Sequence, residues 1–301
     1  MRSNARRILA TASTVLCLSG VTFGGAVAAS TAAAAAGAVP KAPLNSTLAA
    51  TVPTSVKSSG LLVAADATYA PDEFIASDGS TVIGMDADLV NAIGQVLGLK
   101  VTVTNATFDT IIPALQSGKF NLGASSFTDT LAREKQVDFV EYYQAGEGYY
   151  VKAGSSYKPN GLASLCGHTV AVETGTTEET DAQSQSQKCT RSHKKAVKVL
   201  SFADQNSANL AVSSGRAQAG FLDSQIAEYV VATSKGQFKS SGKAFGIAPY
   251  GLAVPKGLGL TRPIAGAVNA LMKDGIYGKI LKKWGIQAGA LSKAKINGAT
   301  S

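Results

Sequence analysis

Apolar and polar residues along this chain follow two repeating patterns, one typical of buried strands and one of amphipathic helices. Leu61 to Ala65 is an unbroken apolar run that ends at Asp66, which predicts a short strand. Between Asp86 and Gly98 the apolar residues recur at i, i+4, i+7 and i+8, which predicts a helix with one buried face. The folded part of the chain therefore begins with a strand followed by a helix.

The same two patterns alternate over the rest of the chain. Further strands are predicted at 101–103, 120–124, 137–143, 149–151, 169–172, 197–200, 219–222 and 245–254. Further helices are predicted at 108–116, from residue 177, around residue 210, at 226–231 and at 260–284. Strands that alternate with helices are typical of parallel sheets, so the pattern predicts the α/β class.

Polar side chains stand where several of these strands end. Asp66, Ser125, Thr174 and Asp223 each fall at or just past the carboxyl end of a predicted strand, two in each half of the chain. Ligands of open α/β sheets bind outside those ends. The placement therefore predicts a ligand cleft between two lobes.

The segment from Ser125 to Arg133 combines four hydroxyl side chains with one arginine. Hydroxyls and backbone N–H groups donate hydrogen bonds, and a guanidinium holds a carboxylate or phosphate in a bidentate fork. The segment therefore suits capture of a small anion. The alternative is a helix-capping turn with Arg133 on a solvated face.

Length and charge exclude some classes of protein. The chain has 301 residues, enough for two lobes with their own cores. The formal net charge is +8, and three of the positive charges lie at Arg2, Arg6 and Arg7. The remaining excess is small and interspersed with acids, so we expect no nucleic-acid partner. The basic run from Lys188 to Lys198 has no aromatic residues and is interpreted as a solvated loop.

The N-terminus has the features of an export signal. Arginines are followed by an apolar, uncharged stretch from Ile8 to Val27. A cleavage motif with small residues at its first and third positions, Ala26-Val27-Ala28, ends at Ala28. We therefore predict a signal peptide at 1–28, with a second cleavage option near Ala36. A membrane anchor or a lipidated Cys17 is the alternative. The Ala-, Ser- and Pro-rich residues that follow predict a flexible mature tail at 29–55.

Cleavage at Ala28 leaves two cysteines, Cys166 and Cys189, in the mature chain. An even pair outside the cytoplasm is typical of a disulfide, so we predict a bond between the two. Two unrelated thiols are the alternative.

Several segments of the chain resemble one known family. They are DATYAPDEF, GMDADL, FDTIIPALQSGKFN, SSFTDTLAREKQVDF, GTTEE and AGFLDS, and the first begins at Asp66. Their order and spacing resemble the extracytoplasmic solute-binding proteins of ABC importers, in the polar amino-acid-binding family (family 3). The resemblance implies a two-lobed periplasmic-binding-protein-like fold with two hinge strands that closes over one free amino acid. It also implies an ABC importer permease as partner, a monomer, an extracytoplasmic location and no cofactor.

The resemblance implies a role for each of nine residues, and Glu178 is expected beside them. Arg133 would pair with the ligand α-carboxylate with help from Thr128 and the N–H of Thr177, and Asp223 would take the α-ammonium with help from Ser126. Tyr69 and Phe108 would be aromatic walls, with Asp66 and Ser125 at the side-chain end. The complete set of expected ligand-binding residues is Asp66, Tyr69, Phe108, Ser125, Ser126, Thr128, Arg133, Thr177, Glu178 and Asp223.

The chain departs from the family pattern at two places. The turn after Tyr69 has the sequence APDEF where the family more often has PPF. Glu173 and Glu178 stand where uncharged residues are common. If Asp66, Glu173 and Glu178 face the cleft, opposite charge favours a cationic side chain on the ligand. We therefore expect a polar or cationic amino acid.

The expected domain organisation follows from two extended segments that cross between the lobes, near Tyr149 and Phe245. Residues 56–146 and 247–286 form lobe 1, residues 147–246 form lobe 2, and residues 287–301 form a C-terminal tail. We expect a separate sheet in each lobe.

Two alternative functions are also compatible with this resemblance. One is an enzyme of the cyclic-acid dehydratase type, and the other is a ligand-sensing domain. An enzyme would need a poised acid or base, and neither His168 nor His193 has a triad-like neighbour in the sequence. No metal-ligand spacing or phosphate-binding glycine loop is present in the sequence. We therefore expect a binding protein without catalytic residues.

Overall fold

The computed structural model of the protein describes residues 41–300. The predicted signal peptide at 1–28, and the predicted tail as far as residue 40, lie outside the described residues. No helix between residues 41 and 300 is both long and apolar enough to cross a membrane.

Helices and strands alternate through this part of the chain. The helices are α1 Ser46–Thr51, α2 Thr54–Ser59, α3 Met85–Leu97, α4 Phe108–Gln116, α5 Leu131–Glu134, α6 Thr177–Arg191, α7 Gln205–Ser213, α8 Ser224–Thr233, α9 Thr261–Lys273 and α10 Ile276–Trp284. The strands are β1 Leu61–Ala65, β2 Thr68–Tyr69, β3 Glu73–Ile75, β4 Val82–Ile83, β5 Val101–Asn105, β6 Leu122–Gly123, β7 Val137–Lys152, β8 Thr169–Glu173, β9 Lys198–Phe202, β10 Ala219–Asp223 and β11 Phe238–Pro255.

Eight of the strands form one sheet in the order β5-β1-β6-β11-β7-β10-β8-β9, and β2, β3 and β4 form a smaller one. β1 is parallel to β5 and β6, and β8 is parallel to β9 and β10. These two parallel groups lie on either side of the long strands β7 and β11, which are antiparallel to each other. The predicted α/β class is confirmed.

The two long strands join the halves of the molecule. Residues 137–145 of β7 pair with residues 248–255 of β11, and residues 147–152 pair with residues 238–245. The pairing is irregular between these sections, where Gly146 and Gly246 lie. The two predicted hinge strands are therefore present. The expectation of separate sheets was wrong, because β7 and β11 carry the hydrogen-bonded sheet through both lobes. The predicted lobe boundaries fall in the irregular section and stay a prediction.

Lobe 1 has a core between its helices and its sheet. The apolar face predicted after Asp86 is buried, and Leu89 and Ile93 of α3 pack in one cluster with Ile264 and Val268 of α9. Burial of that face stabilises α3 more than its intrinsic helix propensity does. The buried face also fixes the position of the strand ends beside it.

The predicted flexible tail was wrong for residues 41–55. Asn45 accepts a hydrogen bond from the N–H of Leu48 and so caps α1. Val52 and Val56 are buried, and Leu48 packs against the same core. Short helices with only a few apolar anchors lack the long periodicity that identifies a helix in sequence, which explains the error.

Two other elements differ from the predictions. The helix predicted at 260–284 is two helices, because Gly275 has a φ of +72° and interrupts the helical path. The strand predicted at 120–124 is a regular strand only at Leu122–Gly123, although the N–H groups of Asn121 and Ala124 also donate to carbonyls of β1. The predicted tail at 287–301 packs along β7 within its described part, and the Phe139 N–H donates to Asn297 Oδ1 at 2.7 Å.

The predicted disulfide is present between Cys166 and Cys189, whose Cα atoms lie 5.6 Å apart. It ties the segment before β8 to the last turn of α6. Both of these elements belong to lobe 2, so the bond fixes the packing of α6 within that lobe.

Replacement of both cysteines by serine is expected to lower the free energy of unfolding by about 3–4 kcal/mol, because the bond closes a loop in the unfolded chain. Chemical denaturation of the exported protein measures this. Free-thiol titration of the unreduced protein should find neither Cys166 nor Cys189, and two reactive thiols would contradict the bond.

Candidate functional site

The carboxyl ends of β1, β8 and β10 meet the segment after β6 at one pocket between the lobes, here called the inner pocket. All ten residues expected from the sequence line it, together with three others. The expected residues are Asp66, Tyr69, Phe108, Ser125, Ser126, Thr128, Arg133, Thr177, Glu178 and Asp223, and the others are Glu73, Glu173 and Thr176.

The lobes lie close together around the inner pocket. It encloses about 10 Å³, which is room for about one water molecule. Side chains of opposite lobes contact each other across it. The Tyr69 hydroxyl donates to Asp223 Oδ2 at 2.8 Å, and the hydroxyl oxygens of Thr128 and Thr177 lie 3.4 Å apart. A larger ligand therefore fits only when the lobes lie further apart than in this structure.

Arg133 is held by an aromatic stack and by both lobes. Its guanidinium carbon lies 5.4 Å from the ring centroid of Phe108 and 5.5 Å from that of Phe127, and the two rings stack at 4.5 Å. Nη1 donates to the Thr128 carbonyl at 2.7 Å, and Nη2 donates to the Gly175 carbonyl at 2.9 Å. A guanidinium has five N–H donors, so others remain for an anion.

Asp66 is fixed at the other end of the inner pocket. Its Oδ1 accepts from the Thr68 hydroxyl at 2.6 Å, and its Oδ2 accepts from the Phe108 N–H at 3.0 Å, at the start of α4. The Ser125 hydroxyl accepts from the Asp66 N–H at 2.8 Å. These bonds leave Asp66 with no freedom to turn away from the pocket.

Ser125 and Ser126 contact a buried group of acids. The Ser125 hydroxyl donates to Glu73 Oε1 at 3.1 Å, and Ser126 is positioned to donate to Asp72 Oδ2 at 3.1 Å or Glu73 Oε2 at 3.2 Å. The Ser126 N–H donates to Asp86 Oδ2 at 3.0 Å. Ser126 has a φ of 47°, a conformation that costs energy for a residue with a Cβ. The acids thus hold Ser126 in place.

Asp223 ends β10 and faces lobe 1. Besides the Tyr69 hydroxyl, Asp223 is within hydrogen-bonding reach of the Tyr250 hydroxyl, and burial raises its pKa to about 6. The same burial, with the Asp223 charge nearby, raises the pKa of Tyr69 well above its ordinary value. The Tyr69 phenol therefore stays protonated and serves Asp223 as a donor.

The end of β8 and the start of α6 each bring a glutamate into the inner pocket. Thr176 caps α6, because the Glu179 N–H donates to its hydroxyl at 3.1 Å. Glu173, at the end of β8, and Glu178, in the first turn of α6, are both buried and both line the pocket. Both glutamates therefore face the cleft, which was the condition for expecting a cationic side chain on the ligand.

The inner pocket contains five carboxyl groups and one guanidinium. Burial raises the pKa of Glu73, Glu173 and Glu178 well above the ordinary value, and nearby carboxylates raise each further. Burial lowers the pKa of Arg133, and the charges of Glu178 and Asp223 counteract that shift. Such a site favours a ligand that brings positive charge.

Sequence reasoning missed Glu73, Thr176 and the aromatic support of Phe127. Glu73 lies in the unusual turn after Tyr69, so that departure was the one available signal. Phe127 was hidden because its role depends on stacking with Phe108, which no sequence pattern encodes.

Neither histidine lies in the inner pocket. The His168 ring stacks on Tyr157 at 3.8 Å, and His193 is exposed. Among residues 41–300, no group of three or more His, Cys, Asp or Glu side chains could hold a metal ion. The expectation of no cofactor stays a prediction.

Known proteins are similar to this chain over most of its described part. The family model for bacterial extracellular solute-binding proteins, family 3, matches residues 61–287. An arginine-binding protein, ArgT, from Corynebacterium glutamicum is 35% identical over 250 residues, which is 82% of each chain. The ABC transporter arginine-binding protein 1 of Escherichia coli is 29% identical over 224 residues, 72% of this chain and 87% of that protein.

Solved structures are similar as well. An ancestral arginine-binding protein bound to glutamine has a TM-score of 0.69 and 37% identity, over 75% of this chain and 97% of that one. The ancestral amino-acid-binding protein AncCDT-1, a precursor of cyclohexadienyl dehydratase, has a TM-score of 0.68 and 34% identity, over 76% and 97%. The two-lobed fold that the resemblance implied is confirmed. This chain belongs to the bacterial extracellular solute-binding proteins of family 3.

Proposed function

We propose that the protein binds a free amino acid with a cationic side chain outside the cytoplasm and delivers it to an ABC importer. The observation that carries the ligand class is the set of five carboxyl groups around one guanidinium in the inner pocket. One carboxylate suffices for the α-ammonium, so the others favour a second positive charge. Delivery is supported by the names of relatives that are ABC transporter binding proteins for arginine and glutamine.

The backbone of the amino acid lies between the lobes in this proposal. The α-carboxylate pairs with Arg133, and the Thr177 N–H at the start of α6 adds a donor where a helix favours anions. The α-ammonium takes the place of the Tyr69 hydroxyl beside Asp223. The ligand therefore replaces bonds that the lobes make with each other in the present structure.

The ligand side chain extends toward Asp66. Phe108 and Tyr69 pack on its methylene groups, and the carboxyl groups of Asp66, Glu173 and Glu73 surround its charged end. A guanidinium suits this end, since its planar donors serve several acceptors at once. Relatives are named for arginine and for lysine, arginine and ornithine, which supports this class.

Export, a monomeric state and the absence of turnover complete the proposal. The disulfide supports an oxidising location. The dehydratase alternative is favoured by one observation, since buried Glu173 has a raised pKa suited to a general acid. Incubation of candidate ligands with the protein separates the two functions, because a binding protein returns them unchanged.

Thermal-shift screening against the twenty amino acids and ornithine tests the proposal. We expect arginine, lysine or ornithine to raise the melting temperature most, with about 2.7 kcal/mol of stabilisation at a hundred times the dissociation constant. Glutamate and aspartate should give no shift. A response to glutamate without one to any cation would overturn the ligand class.

The matched variants for this screen are Glu173→Gln and Glu228→Gln. Glu173→Gln removes a carboxyl group of the inner pocket and should reduce the difference between the thermal shift with arginine and that with glutamine. The second makes the same change at an exposed position of α8. An unchanged preference in Glu173→Gln would remove Glu173 from the specificity site.

Arg133→Ala is expected to weaken amino-acid binding about 30-fold to several thousand-fold, because removal of one partner of a buried charge pair costs about 2–5 kcal/mol. Arg133→Lys should also bind weakly, since a point charge lacks the planar fork. Calorimetric titration measures both. Arg216→Ala is the control, since Arg216 also lies over a phenyl ring, that of Phe202 at 5.5 Å, but outside the pocket. Equal affinity in a folded Arg133→Ala protein would refute the role.

The stability of the ligand-free protein is expected to fall between about pH 4 and pH 7. Burial raises the pKa of Asp86 and Asp223 to about 6 and that of Asp129 to about 7, from ordinary values of 3.8. The folded state therefore holds protons that the unfolded state releases, and this stability is lost as the pH rises through the folded pKa values. Melting curves across this range measure the effect. Arginine should reduce the part of this loss that comes from Asp223, because a cation in the inner pocket stabilises that carboxylate, and a stability that rises with pH would contradict the assignment.

A further inference from the structure

A second cavity adjoins the inner pocket on the hinge side of Arg133 and is here called the outer pocket. It encloses about 550 Å³, and Thr128, Arg133, Thr176, Thr177 and Asp223 line both cavities. Its remaining walls come from the hinge, from α6 with the turn before it, and from α5 with its N-cap, and they include Glu147, Asp181 and Gly246. Whatever occupies the outer pocket can therefore be covalently continuous with a ligand in the inner one.

Glu147 gives the outer pocket its chemistry. It lies on β7 at the hinge, is only 7% exposed and lines this cavity. Its Oε2 has no hydrogen-bond partner among residues 41–300. A buried carboxyl oxygen without a partner is costly, and a cation or a donor would relieve that cost.

The charges around Glu147 are almost all negative. Asp223 faces it from β10, and Glu178 and Asp181 face it from α6. Burial and these carboxylates raise the pKa of Glu147 to about 10, so the acid holds a proton until a cation arrives to displace it. Arg133, the cation that also lines this cavity, is engaged with the carbonyls of Thr128 and Gly175.

The spacing of Glu147 and Asp223 fits successive backbone nitrogens. The two residues are direct partners on antiparallel β7 and β10. Side chains of such partners stand on the same face of a sheet with Cβ atoms about 4.5–5.5 Å apart. An extended peptide advances about 3.3–3.6 Å per residue, so flexible carboxylates at that spacing can hold the nitrogens of neighbouring residues.

We propose that the outer pocket is a subsite for the N-terminal residue of a dipeptide whose C-terminal residue is basic. The basic residue occupies the inner pocket with its free carboxylate on Arg133. Its amide N–H faces Asp223 where a free amino acid would present its ammonium. The N-terminal ammonium then pairs with Glu147. This inference rests on the proposed function, because it places the basic residue in the site assigned there.

Three ligands test the subsite by calorimetric titration: arginine, glycyl-arginine and N-acetyl-arginine. The last two have the same amide beside Asp223, but only glycyl-arginine carries the ammonium that Glu147 would bind. We expect glycyl-arginine to bind the native protein about 10-fold or more tighter than N-acetyl-arginine, as for a largely desolvated charge pair.

The Glu147→Gln variant separates this subsite from the inner pocket. It keeps the shape of the side chain and replaces a buried acid, which is protonated in the ligand-free protein, with a neutral amide, so we expect it to fold. The gap between glycyl-arginine and N-acetyl-arginine should shrink to less than about 3-fold, while the affinity for arginine stays within about 3-fold of native. Glu228→Gln, the same change on the exposed face of α8, should leave all three affinities unchanged.

Each outcome of these titrations either supports or refutes the subsite. If glycyl-arginine binds no better than N-acetyl-arginine, or keeps its advantage in Glu147→Gln, the subsite is refuted while arginine binding still supports the proposed function. If arginine itself does not bind, the proposed function fails, and the subsite that rests on it fails too.

Discussion

One guanidinium among buried carboxyl groups is the constraint on which the rest of this site depends. Arg133 contacts both lobes through the carbonyls of Thr128 and Gly175, and the stacked rings of Phe108 and Phe127 support it. A charge in that position is tolerable because neighbouring acids offset its loss of hydration. The acids in turn outnumber it, so the closed site lacks positive charge. That shortage, more than any single contact, determines what the cleft can hold.

The architecture gathers these charges at one place. Carboxyl ends of parallel strands meet at one edge of a sheet, and each lobe contributes such an edge, with Asp66 in one and Asp223 in the other. The strands β7 and β11 join the lobes, and their pairing is irregular where Gly146 and Gly246 lie. An irregular section of two otherwise continuous strands can act as a hinge, because few ladder bonds must change when the lobes move.

The sequence predicted the parts of this arrangement that follow from periodicity, and it missed those that depend on tertiary packing. Asp66 and Asp223 were found because a strand end is visible as the end of an apolar run. Glu73 was missed because it reaches the pocket from β3, in a small separate sheet whose place over the cleft no pattern encodes. The direction of Glu178 could not be derived either, since the rotation of α6 about its axis is set by packing. The helices before Ser59 were missed because they are too short for a clear period.

Electrostatics also gives a physical reason for coupling between ligand and closure. In the present structure the lobes contact each other directly, through Tyr69 with Asp223 and through Arg133 with Gly175. Formation of these bonds brings acids of both lobes into a small buried space, which costs free energy. A ligand can shift the balance between open and closed forms only by its difference in affinity for the two. A cation has a large difference in affinity between the two forms, because it contacts carboxylates of both lobes only in the closed form. An anionic side chain would add to the repulsion between those carboxylates. In the proposed function, selection by charge and closure of the lobes are therefore coupled.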